Sequence, residues 1–169
     1  PMVSTLTEAK WVAKLIRERN LTAGIMVEVP AVAIMIDQFL AEVDFVSIGT
    51  NDLTQYVMAA ARMNDNLATY TDPWQPAVLT LISRVAKAGQ RLGKPVGVCG
   101  EAAADPILAC VLIGMGVTSL SMAASAIPGV GAQLEQVTKE QCENAAHEIL
   151  TALDGGDARA KARKALGID

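Results

Sequence analysis

The sequence has few aromatic residues, one histidine and no cluster of positive charge. Aromatic side chains make up 4% of the 169 residues, and acidic residues outnumber basic ones by 18 to 14. A net charge of −4 without a basic patch argues against a nucleic-acid partner. The one stretch rich in lysine and arginine, ARAKARKALG near the C-terminus, fits the solvated face of a helix.

Long uninterrupted hydrophobic runs are also missing. The uncharged stretch from Pro106 to Leu134 is broken by glycine, serine and Pro128, so its continuously apolar part spans only about a dozen residues, too few to cross a bilayer. The sequence shows no charged-then-apolar secretory leader. We therefore predict a cytoplasmic protein without membrane insertion. The opening PMV places proline ahead of the first methionine, which indicates a fragment of a longer chain.

Cysteines are few and widely spaced. Cys99, Cys110 and Cys142 form no CxxC pair, and His147 is the one histidine that could join them. This pattern excludes a structural zinc site and a disulfide framework, and it fits a reducing compartment. Cys142 follows TKEQ, on a helix that we expect to be exposed. His147 lies in ENAAHEIL, where we expect a surface or packing role.

Short apolar runs alternate with amphipathic segments along the chain. GIMVEV, DFVSIG, KPVGVCG and VTSLSM are typical of buried strands, and helix patterns lie between them. This alternation predicts a parallel sheet covered by helices, either a small open α/β sheet or half of a (β/α)₈ barrel. TNDLTQY is predicted to be a polar loop. We predict one domain over residues 1–154 and a loosely attached helix over 155–169.

Polar residues follow the predicted strands at their C-terminal ends. They are Glu28 after the first strand, Asn51 and Asp52 after the second, Cys99 and Glu101 after the third, and Ser121 after the fourth. Right-handed crossovers bring these ends to one rim of the sheet, where catalytic groups of parallel α/β proteins gather. The rim is therefore the predicted functional site.

Glu28 and Asp52 are acids in apolar surroundings on consecutive strands. A buried carboxylate without compensation is costly, so a divalent cation is a natural partner. Mg²⁺ is commonly held by two carboxylates together with substrate oxygens and water. The alternative is that Asp52 caps a short helix, LTQYVM, while Glu28 pairs with an arginine.

Arg62 and Cys99 each allow a structural and a chemical interpretation. Arg62, in AAARMNDN, is either a surface side chain or a bidentate donor to a phosphate or carboxylate at the rim. Cys99 lies between Gly97 and Gly100, which permit close approach of backbone or ligand. It is either a working thiol or a small core residue. Trp74, in DPWQPAV, is expected to anchor the long connection in the core.

Five motifs coincide with those of one enzyme family. GIMVEVPAV, DFVSIGTNDLTQY, AAARMN, VCGEAAADP and GMGVTSLSM resemble, in order and spacing, the C-terminal part of the phosphoenolpyruvate-utilising enzymes. The tyrosine that closes TNDLTQY and the asparagine two residues after Arg62 are most similar to the phosphoenolpyruvate–protein phosphotransferases, the enzymes I of bacterial sugar uptake. A homologue similar to pyruvate phosphate dikinase or phosphoenolpyruvate synthase is the alternative.

The resemblance implies the C-terminal half of a (β/α)₈ TIM barrel, about four parallel β/α units plus C-terminal helices, that binds phosphoenolpyruvate and Mg²⁺ at its rim. It implies Glu28 and Asp52 as magnesium ligands. It implies Asn51, Asp52 and Arg62 as substrate contacts, with Ala61 standing where the family has an aspartate. It implies Cys99 as the acid that protonates the enolpyruvate carbon.

The resemblance also implies partners. In this family the phosphoryl group passes to a histidine on a separate N-terminal domain and then to the phosphocarrier HPr, and the C-terminal domain forms a homodimer. We therefore expect this fragment to be inactive alone. Half a barrel has two unpaired sheet edges and an uncovered face, expected to be apolar, which predicts self-association. A non-catalytic dimerisation module is the alternative from another functional class.

Overall fold

The computed structural model describes residues 1–61 and 65–168. Its centre is one sheet of four parallel strands, in the order β1-β2-β3-β4. The strands are β1 (Gly24–Val27), β2 (Phe45–Gly49), β3 (Val96–Cys99) and β4 (Ser119–Ser121). The predicted fold class, with four parallel β/α units and C-terminal helices, is confirmed. Sequential order with parallel pairing is the arrangement of neighbouring strands in a (β/α)₈ barrel.

Helices connect the strands and continue beyond the last one. They are α1 (Leu6–Arg17), α2 (Pro30–Ile34), α3 (Ile36–Glu42), α4 (Thr50–Val57), α5 (Pro76–Leu92), α6 (Glu101–Ala104), α7 (Pro106–Met115), α8 (Ile127–Leu134), α9 (Lys139–Glu148) and α10 (Gly155–Leu166). Local signals set several ends: a capping box of Thr5 and Glu8 starts α1, and Gly93 in the left-handed region ends α5. None of the described helices is both long and apolar enough to cross a membrane.

The two faces of the sheet differ in the side chains that they carry. The face toward the helices carries buried valine and isoleucine: Ile25, Val27, Val46, Ile48, Val96 and Val98. The opposite face carries Gly24, Met26, Phe45, Ser47, Gly97, Cys99, Ser119 and Ser121. The uncovered face is therefore only partly apolar, because Met26 and Phe45 share it with serine and glycine residues. Alternation along FVSIG and VGVC sends the valine and isoleucine side chains to the helices and Phe45, Ser47, Gly97 and Cys99 to the other side.

TNDLTQY forms α4 and is not the predicted loop. β2 ends at Gly49 and the helix begins at Thr50, the next residue. The hydroxyl of Thr54 donates to the Thr50 carbonyl at 2.7 Å, and the Thr50 hydroxyl donates to the Cys99 carbonyl at 2.9 Å. Residue types that favour loops therefore satisfy backbone carbonyls of the helix and of the neighbouring strand.

The C-terminal helices pack on one another behind the sheet. α9 contacts α7, and α10 contacts α9. Cys142 was predicted on an exposed helix, but its side chain is 2% exposed because it faces α7. α10 places Ala158, Ala162 and Leu166 in the core. The proposed division of the chain at residues 154 and 155 stays a prediction.

Candidate functional site

The residues at the C-terminal ends of the strands lie side by side along one edge of the sheet. Gly49, Cys99 and Ser121 are register partners on neighbouring strands, β2, β3 and β4. Glu28 follows β1, and Asn51 and Asp52 lie in the first turn of α4. The structure therefore brings the sequence-predicted groups of all four strand ends to one rim. Arg62 lies outside the described residues.

Glu28 is a buried carboxylate that reaches over the end of the neighbouring strand. Its side chain is 4% exposed. A Cβ at Gly49 would lie 2.7 Å from Glu28 Cγ, so the glycine leaves the space that this side chain occupies. Glu28 Oε1 is buried and, among the described residues, has no hydrogen-bond partner. An unpaired anionic oxygen in the interior is costly and points to a cation.

Asp52 does not cap a helix, so that alternative is wrong. The N-cap of α4 is Gly49, and no side chain caps this end. Asp52 instead lies inside the first turn and is partly exposed, where the helix dipole favours a negative charge. Asp52 therefore lies in the turn that follows the end of β2, without a capping role.

Cys99 ends β3 and is held against the junction of β2 and α4. Its thiol donates to the Ile48 carbonyl at a sulfur–oxygen distance of 3.4 Å, and its own carbonyl accepts from the Thr50 hydroxyl. The next residue, Gly100, has φ of +97°, and a Cβ there would lie 2.8 Å from Thr50 Oγ1 and 3.2 Å from Asn51 Oδ1. Only glycine fits this close approach, which brings the Cys99 segment beside the Asn51 amide.

A cavity of about 440 Å³ opens at this rim. Its walls are Asn51, Gly100, Glu101, Ala104, Ser121, Met122 and Ala123. Its volume is within the range of small-molecule sites. The sequence analysis predicted that Glu101 and Ser121 lie at the rim, but it assigned neither of them a function. Thr50 was missed altogether, because its contribution is a hydroxyl contact to the next strand.

Trp74 and His147, which the sequence analysis also considered, lie away from the rim. Trp74 is fully buried, which confirms that it anchors the connection between α4 and α5 in the core. His147 is exposed on α9 and lines a separate groove with Lys87 and Glu143. Within the described ranges, no group of three or more histidine, cysteine, aspartate or glutamate side chains is placed to hold a metal ion.

Comparison with known proteins gives consistent matches over nearly the whole chain. The family model for the phosphoenolpyruvate-utilising enzyme, phosphoenolpyruvate-binding domain, matches residues 1–139. A phosphoenolpyruvate-protein phosphotransferase of Streptomyces coelicolor is 49% identical over 168 residues, covering 98% of this chain and 30% of that protein. A Bacillus subtilis protein of the same name is 39% identical over 164 residues, covering 89% of this chain and 29% of that protein.

Among solved structures, an HpcH/HpaI aldolase from Desulfitobacterium hafniense matches with a TM-score of 0.46 and 23% identity, over 73% of this chain and 46% of the aldolase chain. The present chain spans less than a third of the two phosphotransferases, 30% and 29%. Since the family model covers residues 1–139, the chain belongs to the phosphoenolpyruvate-utilising enzymes, through their phosphoenolpyruvate-binding domain.

Proposed function

We propose that this chain is the phosphoenolpyruvate- and Mg²⁺-binding part of a phosphoenolpyruvate–protein phosphotransferase. One observation carries the proposal: the buried Glu28 carboxylate, whose Oε1 has no hydrogen-bond partner within the described residues. It lies at the strand-end rim beside Gly49, where the family's substrate would bind. A cation there offsets the cost of burying the charge.

Glu28 and Asp52 are the proposed magnesium ligands. Two carboxylates suit Mg²⁺, which keeps several water or substrate oxygens in its octahedral shell. Bound magnesium would neutralise charge on the phosphoryl group and on the enolate oxygen. Asn51, whose amide borders the rim cavity, is the proposed donor to phosphoenolpyruvate. Arg62 is proposed as a phosphate ligand from the family resemblance alone.

Cys99 is the proposed proton donor. Once the phosphoryl group has left, the enolate of pyruvate requires a proton at its methylene carbon. The Cys99 S–H bond breaks, its electron pair stays on sulfur as a thiolate, and the enolate electron pair forms the new C–H bond of pyruvate. The half-buried position of the thiol at the end of β3, on the open face of the sheet, supports this assignment.

The remaining steps lie with other parts of a longer protein. We propose that a histidine outside this chain accepts the phosphoryl group and passes it to HPr in sugar uptake, and that the domain acts as a homodimer. A homologue of the dikinase or synthase type is the second candidate. The 49% identity to a phosphotransferase over nearly the whole chain favours the first.

Calorimetry with phosphoenolpyruvate and Mg²⁺ tests the proposed binding. We expect the chain to bind phosphoenolpyruvate when Mg²⁺ is present. Glu28→Gln should weaken this binding by more than about tenfold, which is the lower end of the effects seen when a metal site is disturbed. Cys99→Ala should retain binding, because the thiol acts after phosphoryl transfer. Asp37→Asn is the matched control, since it removes an exposed carboxylate that pairs with Arg91 on the outer helices.

Three results would count against these assignments. A natively folded wild-type chain that binds no phosphoenolpyruvate supports the non-catalytic module instead. Equal affinities in Glu28→Gln and Asp37→Asn would remove Glu28 from the metal site. Loss of binding in Cys99→Ala would show that the thiol has a structural role.

A further inference from the structure

We propose that Trp74 and Asp105 are positioning residues, and that this role rests on the proposed function of the rim. Their hydrogen bond ties the connection between α4 and α5 to the segment that carries Cys99 and Glu101. We call this hydrogen bond the tie. Arg159, from α10, stabilises the tie through its contacts with Asp72 and with the Trp74 ring. None of these three residues lines the rim cavity.

Trp74 is the fixed end of the tie. Its side chain is fully buried, and its indole Nε1 donates to Asp105 Oδ2 at 2.9 Å. The preceding connection is held by Gln75, whose side-chain amide donates to the Thr69 carbonyl at 2.7 Å. A buried indole with a charged acceptor is a rigid anchor, because its N–H has a strong partner and its ring is packed.

Asp105 is the other end, and each of its carboxylate oxygens has a separate role. Oδ1 caps α7 by accepting from the backbone N–H groups of Ile107 and Leu108, at 2.9 and 3.1 Å. Oδ2 accepts from Trp74. The cap needs only Oδ1 to fix the start of α7. The bond from Trp74 to Oδ2 additionally holds the start of α7 against the connection after α4.

Arg159 braces the tie through Asp72. Asp72 Oδ1 accepts from the Trp74 backbone N–H at 3.0 Å, and Arg159 Nη2 lies 3.4 Å from both oxygens of Asp72. The Arg159 guanidinium carbon also lies 5.3 Å from the centre of the Trp74 ring. An arginine over an indole is attracted by the ring's electrons, so both contacts hold α10 against Trp74.

The tie acts on the rim through α6, a single turn between Gly100 and Asp105. At its start, Gly100 is docked against Thr50 and Asn51. At its end, Asp105 is docked on Trp74. Glu101, which borders the cavity, lies between these two fixed points. The tie therefore holds the cavity wall and the Cys99 segment in place before a ligand arrives.

The rate at which Cys99 reacts with dithiobis(nitrobenzoate) measures this positioning without any substrate. We expect Trp74→Phe and Asp105→Asn each to raise the rate by about ten- to a hundredfold, the factor that corresponds to the net contribution of one hydrogen bond to a charged group. Asn retains a capping oxygen for α7, and Phe retains a ring beneath Arg159. The double variant should react no faster than either single variant, because both substitutions break the same bond.

Trp11→Phe is the matched control, since Trp11 is 63% exposed on α1, a helix that packs against α3. Its Cys99 rate should equal that of the wild-type chain. Cys110 and Cys142 should stay unreactive in every variant, which separates a local effect from general unfolding. Rates in Trp74→Phe and Asp105→Asn that match Trp11→Phe, or that add in the double variant, would overturn the proposal.

Calorimetry with phosphoenolpyruvate and Mg²⁺ then separates positioning from simple support. We expect the two tie variants to lose affinity by about three- to tenfold when binding is measured well below their melting temperatures, where the native fold is retained. Faster labelling with unchanged affinity would show that the tie is merely structural. If the wild-type chain binds no phosphoenolpyruvate, the proposed function fails, whereas the labelling rates still decide whether the tie holds the Cys99 segment.

Discussion

The three cysteines differ in their surroundings, and this difference predicts that one of them reacts faster than the other two. Cys99 is half-buried at the rim, whereas Cys110 is fully buried and Cys142 is 2% exposed. Burial raises the pKa of the Cys110 thiol to about 12 and also raises the pKa of Cys142. The Cys110 thiol donates to the Pro106 carbonyl within α7, at a sulfur–oxygen distance of 3.3 Å. A thiol reacts as its thiolate, so these two are protected by position and by pKa.

Titration with dithiobis(nitrobenzoate) at pH 8 checks this difference. We expect one rapidly reacting thiol per native chain, and reaction of the other two only after unfolding. Cys99→Ser should abolish the rapid phase, whereas Cys142→Ser, the matched control, should leave it unchanged. If the rapid phase persists in Cys99→Ser, or disappears in Cys142→Ser, then Cys99 is not the rapidly reacting thiol.

The position of Cys99 could be predicted from the sequence, whereas the burial of Cys142 could not, and the difference has a physical reason. Cys99 follows an apolar strand and precedes a glycine, so its place at the rim could be predicted from the pattern. Cys142 follows the polar TKEQ, and the buried stripe that continues from it is made of small residues, Ala145 and Ala146. Such a stripe gives a weak hydrophobic pattern, and its burial comes from α7, which only the tertiary structure supplies.

At the scale of elements, the close crossing of α7 and α9 depends on one glycine. A Cβ at Gly114 would lie 2.0 Å from the Cys142 carbonyl oxygen and 2.8 Å from the Glu143 nitrogen. Both are backbone atoms of α9, so a side chain at Gly114 could be accommodated only by moving one helix away from the other. This packing also covers Cys110 and Cys142, one on each helix.

Gly114→Ala should therefore lower the free energy of unfolding by about 2 kcal/mol or more, as overpacking in a core does. Gly131→Ala is the matched control in α8, where a Cβ would meet no atom within 4 Å. Because alanine favours helix over glycine, the control should raise stability by about 0.5–1 kcal/mol. Urea unfolding of the two variants measures both values, and the same sign for both would contradict this account of the crossing.

The strands were predicted more accurately than the helix that follows β2. Apolar runs gave all four strands because buried parallel strands need few polar residues. TNDLTQY was interpreted as a loop since threonine, asparagine and aspartate often bond to their own backbone outside helices. In the structure the Thr50 hydroxyl bonds across to β3. The rim is therefore tighter than the sequence indicated, because α4 starts directly where β2 ends.

At the scale of the whole molecule, both edges of the sheet lack a second neighbour. In the described part of the chain β1 pairs with β2 alone, and β4 pairs with β3 alone. The uncovered face combines small and polar residues with Phe45, whose ring lies over Gly24 and is 38% exposed. A two-fold axis parallel to the strands would place β1 of one copy beside β4 of another with the strand direction kept, and eight strands close a barrel.

We therefore expect the chain to form a homodimer in which the two open faces enclose a common interior. Phe45→Asp should shift the chain to monomer, because it puts a charge inside that interior, where burial without a partner is costly. Leu92→Asp is the matched control: Leu92 is 43% exposed at the end of α5, on the helix side, and its variant should remain dimeric. Light scattering after size-exclusion chromatography, with circular dichroism to confirm folding, measures both. A wild-type monomer at micromolar concentration, or equal dissociation in the two variants, would show that the open face is not an interface between copies.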